Sequence, residues 1–259
     1  MIIDRAKFYS VMRRELGALT QGRVEGTNAI LDAWEQRYCK QTSVPQFATC
    51  LATAYWETAH TMKPIHEYGD RARFMRLYDV SGSDPDRARR YGNTEVGDGA
   101  KYCGRGLVQL TWKVNYAKAT KRLRELKIID AGVDFVKNPD LVMQDRYAIP
   151  IMFIGMEEGW FTGKKLDDIV DDDISADLKD EKQDLLRSRA IINGKDKAEQ
   201  IAEIGLTFLR ALVASVDKTA PVKVEPPVPE PPPEAAHAGA SAFNRFWKAV
   251  ADLVGTKKG

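Results

Sequence analysis

The sequence has few cysteines, no long apolar run and almost no excess of charge, and each of these absences excludes a class of protein. Its three cysteines, Cys39, Cys50 and Cys103, lack CxxC spacing, so they indicate neither a disulfide framework nor a zinc knuckle. We expect them to be buried free thiols. No apolar run approaches the roughly 18 residues that a membrane-spanning helix needs. The net charge of +2 is no polycationic footprint, and no nucleic-acid partner is predicted.

The first 16 residues also lack the pattern of a secretory signal, because charged residues interrupt every apolar stretch. We therefore expect the chain to be made in the cytosol and to stay there unless a separate factor releases it. The length of 259 residues suits one medium domain with an appendage.

Proline is sparse except in one segment. Seven of the 12 prolines lie between positions 221 and 233, and such a run forms an extended spacer that cannot bury a core. The sequence therefore predicts that the body of the protein, and with it any catalytic domain, covers residues 1–216, followed by a proline-rich linker over 217–235 and a short tail over 236–259.

Apolar residues in the catalytic domain recur mostly at helical spacing. Pro45 is placed to begin a helix, and further helices are predicted at about 113–126, 145–158 and 197–214. Residues 81–104 are rich in Gly, Ser, Asp and Asn, and we expect a long loop there. β-branched alternation is rare, so the predicted fold class is mainly α, an α+β fold with a minor β element.

Two glutamates are candidates for acid and base chemistry. Glu57 ends the apolar stretch FATCLATAYWET, where loss of solvation raises a carboxyl pKa and suits a general acid. Pro64 should stop that helix at Lys63, so the chain can fold back and bring Glu67 opposite Glu57. Two carboxyl groups in unlike settings are what glycoside hydrolysis uses. The alternative is that both are solvated surface charges.

A second segment, YCGRGLVQLTWKVNYAKA, combines glycines with polar side chains. The run Gly104-Arg105-Gly106 allows tight turns and close approach of another chain or a ligand. Trp112 offers a flat apolar face for a sugar ring. Amide, hydroxyl and phenol groups of the kind that recognise sugar hydroxyls come from Gln109, Thr111, Asn115 and Tyr116.

These segments carry a resemblance to a known family. AYWETAHTMKPIHE, GRGLVQLTWKVNY, NPDL, GWFTGKKL and IINGKDKAE together resemble glycoside hydrolase family 19, and more narrowly the phage-type lysozyme or endolysin branch of that chitinase-like family. The resemblance covers about residues 45–212. It implies a lysozyme-like, mainly helical fold and cleavage of β-1,4 links between amino sugars with inversion.

The resemblance also implies roles for individual residues. Glu57 takes the place of the general acid, Glu67 that of the general base, and Thr111 that of the hydroxyl that helps hold the attacking water. The polar positions that line the sugar cleft match Gln109, Asn115, Tyr116 and Asn193, and Arg105 matches an arginine near it. The later arginine that pairs near the acid in plant-type members is replaced, near Glu203, in this sequence.

A metal site is a weaker interpretation. Glu57 and His60 have the spacing of metal ligands, and His66 and Cys103 are further candidates for a zinc amidase site. However, the chain has three histidines, and Asp70 stands where HExxH needs its second histidine. We predict no metal and no cofactor.

Two charged runs stand out. Residues 167–184 hold nine acidic and two basic residues, a local net charge of −7, and we expect a solvated, mobile insertion that points away from an anionic glycan. Residues 71–90 hold six arginines against Asp79, Asp84 and Asp86. That patch either attracts the acidic peptide stems of peptidoglycan or is simply a solvated face.

The tail has one apolar face at helical spacing, formed by Phe243, Phe246, Trp247, Val250, Leu253 and Val254. Its basic residues and interfacial tryptophan predict contact with an anionic membrane surface. Docking on the body or on another copy, and disorder, are the alternatives.

Taken together, these features predict an endolysin that hydrolyses β-1,4 glycosidic bonds in the glycan strands of bacterial peptidoglycan and so lyses the host. It would wait in the host cytoplasm until a separate pore releases it to the cell wall. The alternatives are a chitinase that acts on N-acetylglucosamine polymers and a non-catalytic glycan-binding or membrane-disrupting protein.

Overall fold

The structure is a computed structural model that describes residues 1–174, 178–194 and 196–217. Over these residues the chain is mainly helical with a minor β element, which confirms the predicted fold class. The α-helices are α1 (Arg5–Leu16), α2 (Gln21–Ala33), α3 (Val44–Glu57), α4 (Arg71–Tyr78), α5 (Pro85–Arg90), α6 (Asp98–Lys101), α7 (Lys113–Glu125), α8 (Asp145–Glu157), α9 (Lys179–Ile192) and α10 (Ala198–Ser215). Trp34–Tyr38 continues α2 as a π-helix, and Pro139–Met143 is a 3₁₀-helix.

The strands form two small antiparallel pairs. β1 (Ile2–Ile3) pairs with β4 (Val216–Asp217), which ties the first residues of the body to its last helix. β2 (Ile65–His66) pairs with β3 (Arg105–Gly106), with Ile65 opposite Gly106 and His66 opposite Arg105. This second pair brings the segment after α3 beside the Gly104-Arg105-Gly106 run.

The core is built around α3. Ser43 and Gln46 form a reciprocal capping box at its start, and Pro45 lies in its first turn, as predicted. Every residue from Val44 to Tyr55 is buried, because the helix is apolar on all sides and α10 packs along it. Glu57, its last residue, therefore sits where a buried helix meets the surface.

The cysteines lie in this core and its margins. Cys39, Cys50 and Cys103 are all buried and unbridged, which confirms the prediction for them. In the described part of the chain, no helix is both long and apolar enough to cross a membrane.

The helix end after Glu57 differs from the prediction. α3 stops at Glu57, well before Pro64, because Thr58 caps the reversal: its hydroxyl donates to Ala54 O at 2.6 Å and accepts from Met62 N at 2.9 Å. The chain then turns through left-handed backbone at Ala59 and Met62. The expectation that Pro64 itself ends the helix was wrong.

Two loop predictions also need correction. Residues 81–104 are not one long loop, because Asp84 caps α5 by accepting from Arg87 N at 2.9 Å and α6 follows at Asp98. The acidic run 167–184 is not wholly solvated either. Glu181 and Asp184 are buried on α9, and Asp184 accepts from Asp171 N at 3.0 Å and pairs with Arg187.

All described residues fall within one compact unit. Apart from Asp217, the predicted linker (217–235) and tail (236–259) lie outside the described residues, and so do Phe243, Phe246, Trp247, Val250 and Leu253.

Candidate active site

Glu67 directly follows β2 and is held against Gly104, the residue before β3. Its backbone N–H donates to Gly104 O at 2.8 Å, which extends the pairing of the two strands by one residue. Its Oε2 accepts from Gly104 N at 3.0 Å, and its Oε1 accepts from the Tyr78 hydroxyl at 2.8 Å. Both carboxylate oxygens are therefore oriented by uncharged donors.

Gly104 leaves room for the side chains of Gln109 and Glu67. A Cβ there would lie 2.7 Å from Gln109 Oε1 and 3.1 Å from Glu67 Oε2. Gly106 has a positive φ of 87°, which glycine adopts without strain. Gly104 thus allows the close approach that the sequence predicts, and the groups next to it are the Gln109 amide and the Glu67 carboxylate.

Glu57 has a charged partner that the sequence reasoning missed. Arg189 Nη1 on α9 donates to Glu57 Oε1 at 2.6 Å, and the side chains of Arg189 and Glu57 are 5% and 16% exposed, respectively. The replacement of the later arginine near Glu203 stays a prediction, and the arginine that pairs with Glu57 comes instead from α9, which packs against α3. The signal lay in LLRSRAIING, where Arg189 comes two residues before the IINGKDKAE string.

The pKa of Glu57 is raised above its ordinary value, as the sequence predicts. Burial is the largest cause, since the carboxylate loses solvation at the end of α3. The Arg189 guanidinium lowers this pKa through its charge and its hydrogen bond, while the Glu67 carboxylate raises it. The two carboxyl groups therefore lie within range of each other's charge.

Hydrogen bonds connect Gln109 and Thr111, in the loop before α7, to Asn115 in the first turn of α7. Gln109 Nε2 donates to Ile65 O at 3.2 Å and thereby fastens the loop to β2. The Thr111 hydroxyl donates to Gln109 O at 2.8 Å, and Asn115 Nδ2 donates to Thr111 O at 2.8 Å. With its proton directed to Gln109, the Thr111 oxygen keeps its lone pairs to accept a hydrogen bond from water.

The backbone of this loop is strained. Gln109 and Trp112 have φ values of 52° and 78°, in the left-handed region that such residues rarely adopt. Strain of this kind persists where surrounding contacts over-determine the backbone, and it concentrates at functional sites.

Two predicted sugar contacts are instead structural. Trp112 is 7% exposed, with the Tyr91 ring stacked on it at 5.1 Å and Arg87 over its ring at 5.3 Å. Tyr116 is fully buried, and its hydroxyl donates to Cys103 O at 2.8 Å. Neither side chain presents a free face to a glycan, because α5 and the Cys103–Arg105 segment cover them.

Arg105 is also buried, and it organises the segment that carries Gly104. Its Nη1 donates to Lys101 O, Cys103 O and Tyr116 Oη at 2.9, 3.0 and 3.1 Å. Its Nε donates to Asp140 Oδ1 at 2.8 Å. Arg105 therefore stabilises the segment that contains Gly104, which in turn binds Glu67.

Asn193 is exposed and directly follows α9. Its backbone N–H donates to Arg189 O at 3.0 Å, so it lies one helical turn after the arginine that pairs with Glu57. Its Oδ1 accepts from Gly194 N at 2.8 Å, and its amide N–H₂ group can still donate to a ligand.

The histidine candidates have other contacts. His66 Nε2 lies 3.0 Å from Asp140 Oδ1 and accepts from Arg105 Nε at 3.1 Å. Burial and the Arg105 charge lower the pKa of His66. Within residues 1–174, 178–194 and 196–217, no group of three or more His, Cys, Asp or Glu side chains is arranged to hold a metal ion.

The sequence matches no protein-family model and no curated protein. Among solved structures, the chain is similar to chitinase C from Streptomyces griseus HUT6037, with 18% sequence identity and a TM-score of 0.46. That similarity covers 83% of this chain and 79% of that chain. At this level the similarity assigns no activity or substrate to the chain.

The Glu57–Arg189 pair leads to a pH prediction. In Arg189→Gln, the guanidinium that lowers the Glu57 pKa is gone, so that pKa rises. A group that works as an acid stays protonated to higher pH when its pKa rises, so the alkaline limb of the kcat/KM profile moves to higher pH. Activity at the optimum falls roughly 10- to 100-fold, because the acid also loses the group that orients it.

Arg187→Gln is the matched control for this pH profile. Arg187 lies on the same helix and pairs with Asp184, and its side chain is 65% exposed. We expect its alkaline limb to coincide with that of the parent protein. An alkaline limb in Arg189→Gln that stays in place or moves to lower pH would contradict the role given to Arg189.

Proposed function

We propose that this protein is a glycoside hydrolase that uses Glu57 as general acid and Glu67 as general base. The observation that carries the proposal is the contrast between the settings of two carboxyl groups, one buried at the end of α3 and the other held by uncharged hydrogen-bond donors. Burial favours the protonated form of Glu57, whereas Glu67 is held by the Gly104 N–H and the Tyr78 hydroxyl. Such a pair divides acid and base roles between two carboxyl groups.

The reaction proposed is a single displacement with inversion. Glu57 donates its proton to the glycosidic oxygen as the C1–O bond breaks, and Glu67 takes a proton from the water that attacks C1 from the opposite face. The Thr111 oxygen accepts a hydrogen bond from that water. Glu57 ends the step as an anion beside Arg189, whose charge stabilises it, and proton exchange with solvent restores both groups.

The substrate proposed is the glycan strand of bacterial peptidoglycan, cleaved at its β-1,4 bonds. The resemblance to the phage-type lysozyme and endolysin branch supports this choice, and the exposed Asn193 amide can donate a hydrogen bond to such a glycan. In this role the protein would act on the cell wall from inside the host, after release through a separate pore. Membrane contact by the tail stays a prediction.

Mass spectrometry of fragments from purified peptidoglycan tests the substrate. New reducing ends on amino sugars are expected, and the reducing-end sugar identifies the protein as a muramidase or a glucosaminidase. Cut peptide stems with intact glycan would overturn the proposal, because an amidase or peptidase makes those products. Turnover of N-acetylglucosamine polymers without cleavage of peptidoglycan would instead make the protein a chitinase.

The stereochemistry and Thr111 give one combined prediction. On a defined oligosaccharide, the first product seen by NMR should be the α-anomer, since inversion at a β-linkage produces it. Thr111→Val keeps the side-chain shape but removes one hydrogen bond to the attacking water, so kcat should fall about 10-fold while KM changes little.

Thr94→Val, at an exposed threonine, is the control for Thr111→Val and should match the parent protein. A first-formed β-anomer would mean a covalent intermediate and would remove Glu67 from the role of base.

A further inference from the structure

Six arginines lie on α4 and α5, two helices that pack against each other, and we call this set of side chains the arginine face. Every one of them is exposed; they are Arg71, Arg73, Arg76, Arg87, Arg89 and Arg90. The two helices follow each other directly in the chain and are in contact. The site described above uses none of these side chains.

The carboxylates of the same segment leave most of this charge uncompensated. Asp79 is 1% exposed, and Asp84 caps α5. Asp86 pairs with Arg89 at 3.2 Å. Among the residues that the structure describes, no ion pair joins a carboxylate to the remaining side chains on α4 or to the last arginine of α5, namely Arg71, Arg73, Arg76 and Arg90.

Hydrogen bonds hold the end of α4 in place. The buried Asp79 carboxylate accepts from Gly97 N at 2.8 Å and from Gly99 N at 2.9 Å, which fastens the end of α4 to the segment that enters α6. Packing there is close enough that a Cβ on Gly99 would lie 2.6 Å from Asp79 N. Because these contacts already hold the end of α4, a ligand would not have to order it.

The arginine face begins beside the proposed base. Tyr78, the last residue of α4, donates its hydroxyl proton to Glu67 Oε1 at 2.8 Å. Arg73 lies on the same helix, close enough that its charge lowers the pKa of Tyr78 against the larger effects of burial and Glu67, which raise it. A polymer that contacts α4 is therefore within reach of the Glu67 side of the site.

We propose that the arginine face binds the carboxylates of the peptide stems on a peptidoglycan strand while the strand occupies the site. This inference rests on the proposed function and adds the surface that distinguishes peptidoglycan from a neutral glycan. The arginine guanidinium binds carboxylates with two parallel hydrogen bonds. Peptide stems carry such groups, whereas chitin has none, so charge complementarity favours peptidoglycan.

Binding to purified peptidoglycan sacculi tests the arginine face. Full-length Glu57→Gln protein is the reference, so that the sacculi stay intact, and the test variant carries Arg73→Gln and Arg76→Gln in addition. In co-sedimentation at low salt, this variant should bind about 10-fold more weakly than the reference protein. The difference should shrink as salt rises. Arg76→Gln/Arg90→Gln, a second pair on the same face, should weaken binding similarly.

Arg13→Gln/Arg14→Gln is the matched control, since it removes the same charge from exposed positions on α1. It should leave binding within about 2-fold of the parent protein. Sacculi whose stem carboxylates have been converted to amides form the second arm. Glu57→Gln protein with and without the arginine-face substitutions should bind these sacculi equally, because the stem carboxylates that the arginine face binds are gone.

Several outcomes would overturn the arginine face as a stem-binding surface. They are unchanged binding of both arginine-face variants, equal binding of native and amidated sacculi by the parent protein, or an equal loss in the α1 control. Weakened binding to anionic vesicles with unchanged binding to sacculi would assign the face to lipid. Failure of the proposed function shows separately, as retained release of reducing ends by Glu57→Gln, whereas the arginine face is judged only by the difference in binding between the variants.

Discussion

Glu57→Gln and Glu67→Gln should each fold like the parent protein and lose at least about 10²-fold in kcat. Each change keeps the size of the side chain but removes its ability to transfer a proton, and positioned proton transfer contributes roughly 10²- to 10⁴-fold. In Glu57→Gln the new amide oxygen can still accept a hydrogen bond from Arg189, so the pairing with α9 is preserved. Release of reducing ends from purified peptidoglycan measures the loss.

The pH profiles of the two variants separate the roles. Any residual activity of Glu57→Gln should lack the alkaline limb, and that of Glu67→Gln should lack the acid limb. Glu95→Gln, at an exposed glutamate, is the control and should retain full activity. Activity of the parent protein should also survive EDTA. Near-full turnover in either catalytic-site variant, or abolition of activity by EDTA, would contradict the two-carboxylate mechanism.

Arg105→Gln should lower the free energy of unfolding by about 3 kcal/mol. The arginine side chain is 7% exposed, and its loss removes charged donors from Lys101 O, Cys103 O and Tyr116 Oη. Buried acceptors that lose their donors cost roughly 1–3 kcal/mol each. Urea denaturation followed by tryptophan fluorescence measures the change.

Asp140→Asn is the control for the stability measurement. It changes the partner of the same arginine, but the Asp140 side chain is 76% exposed, so the loss should stay below about 1 kcal/mol. In Arg105→Gln, kcat should fall as well, because the loosened segment carries Gly104 and thereby Glu67. A destabilisation no larger than that of Asp140→Asn would show that the buried hydrogen bonds of Arg105 contribute little.

The helices were the most predictable part of the fold. Apolar spacing predicted helices at 113–126, 145–158 and 197–214, and the structure has Lys113–Glu125, Asp145–Glu157 and Ala198–Ser215. These segments are long, and their apolar residues follow one period, so local pattern and packing agree. The short α5 and α6 were missed because a segment rich in Gly, Ser, Asp and Asn carries cap signals and loop signals at once.

The candidate site was predictable to a smaller extent. The raised pKa of Glu57 followed from the apolar stretch before it, since any fold that buries α3 desolvates its last residue. The partner of Glu57 did not follow from the sequence, because Arg189 lies 132 positions further along the chain. Trp112 and Tyr116 were misassigned because an aromatic side chain suits a core and a sugar cleft equally well.

The sequence by itself determined the local properties of this protein. These are a helical body, the start of α3, the glycine next to Glu67, and the poor solvation of the Glu57 carboxyl group. Only the tertiary structure decided which groups meet. It placed α9 against the end of α3, turned the chain back after Thr58, and buried Arg105 beside the strand pair that positions Glu67. The physical reason is that solvation and backbone preference act over a few residues, whereas charge pairing depends on distances that only the folded chain establishes.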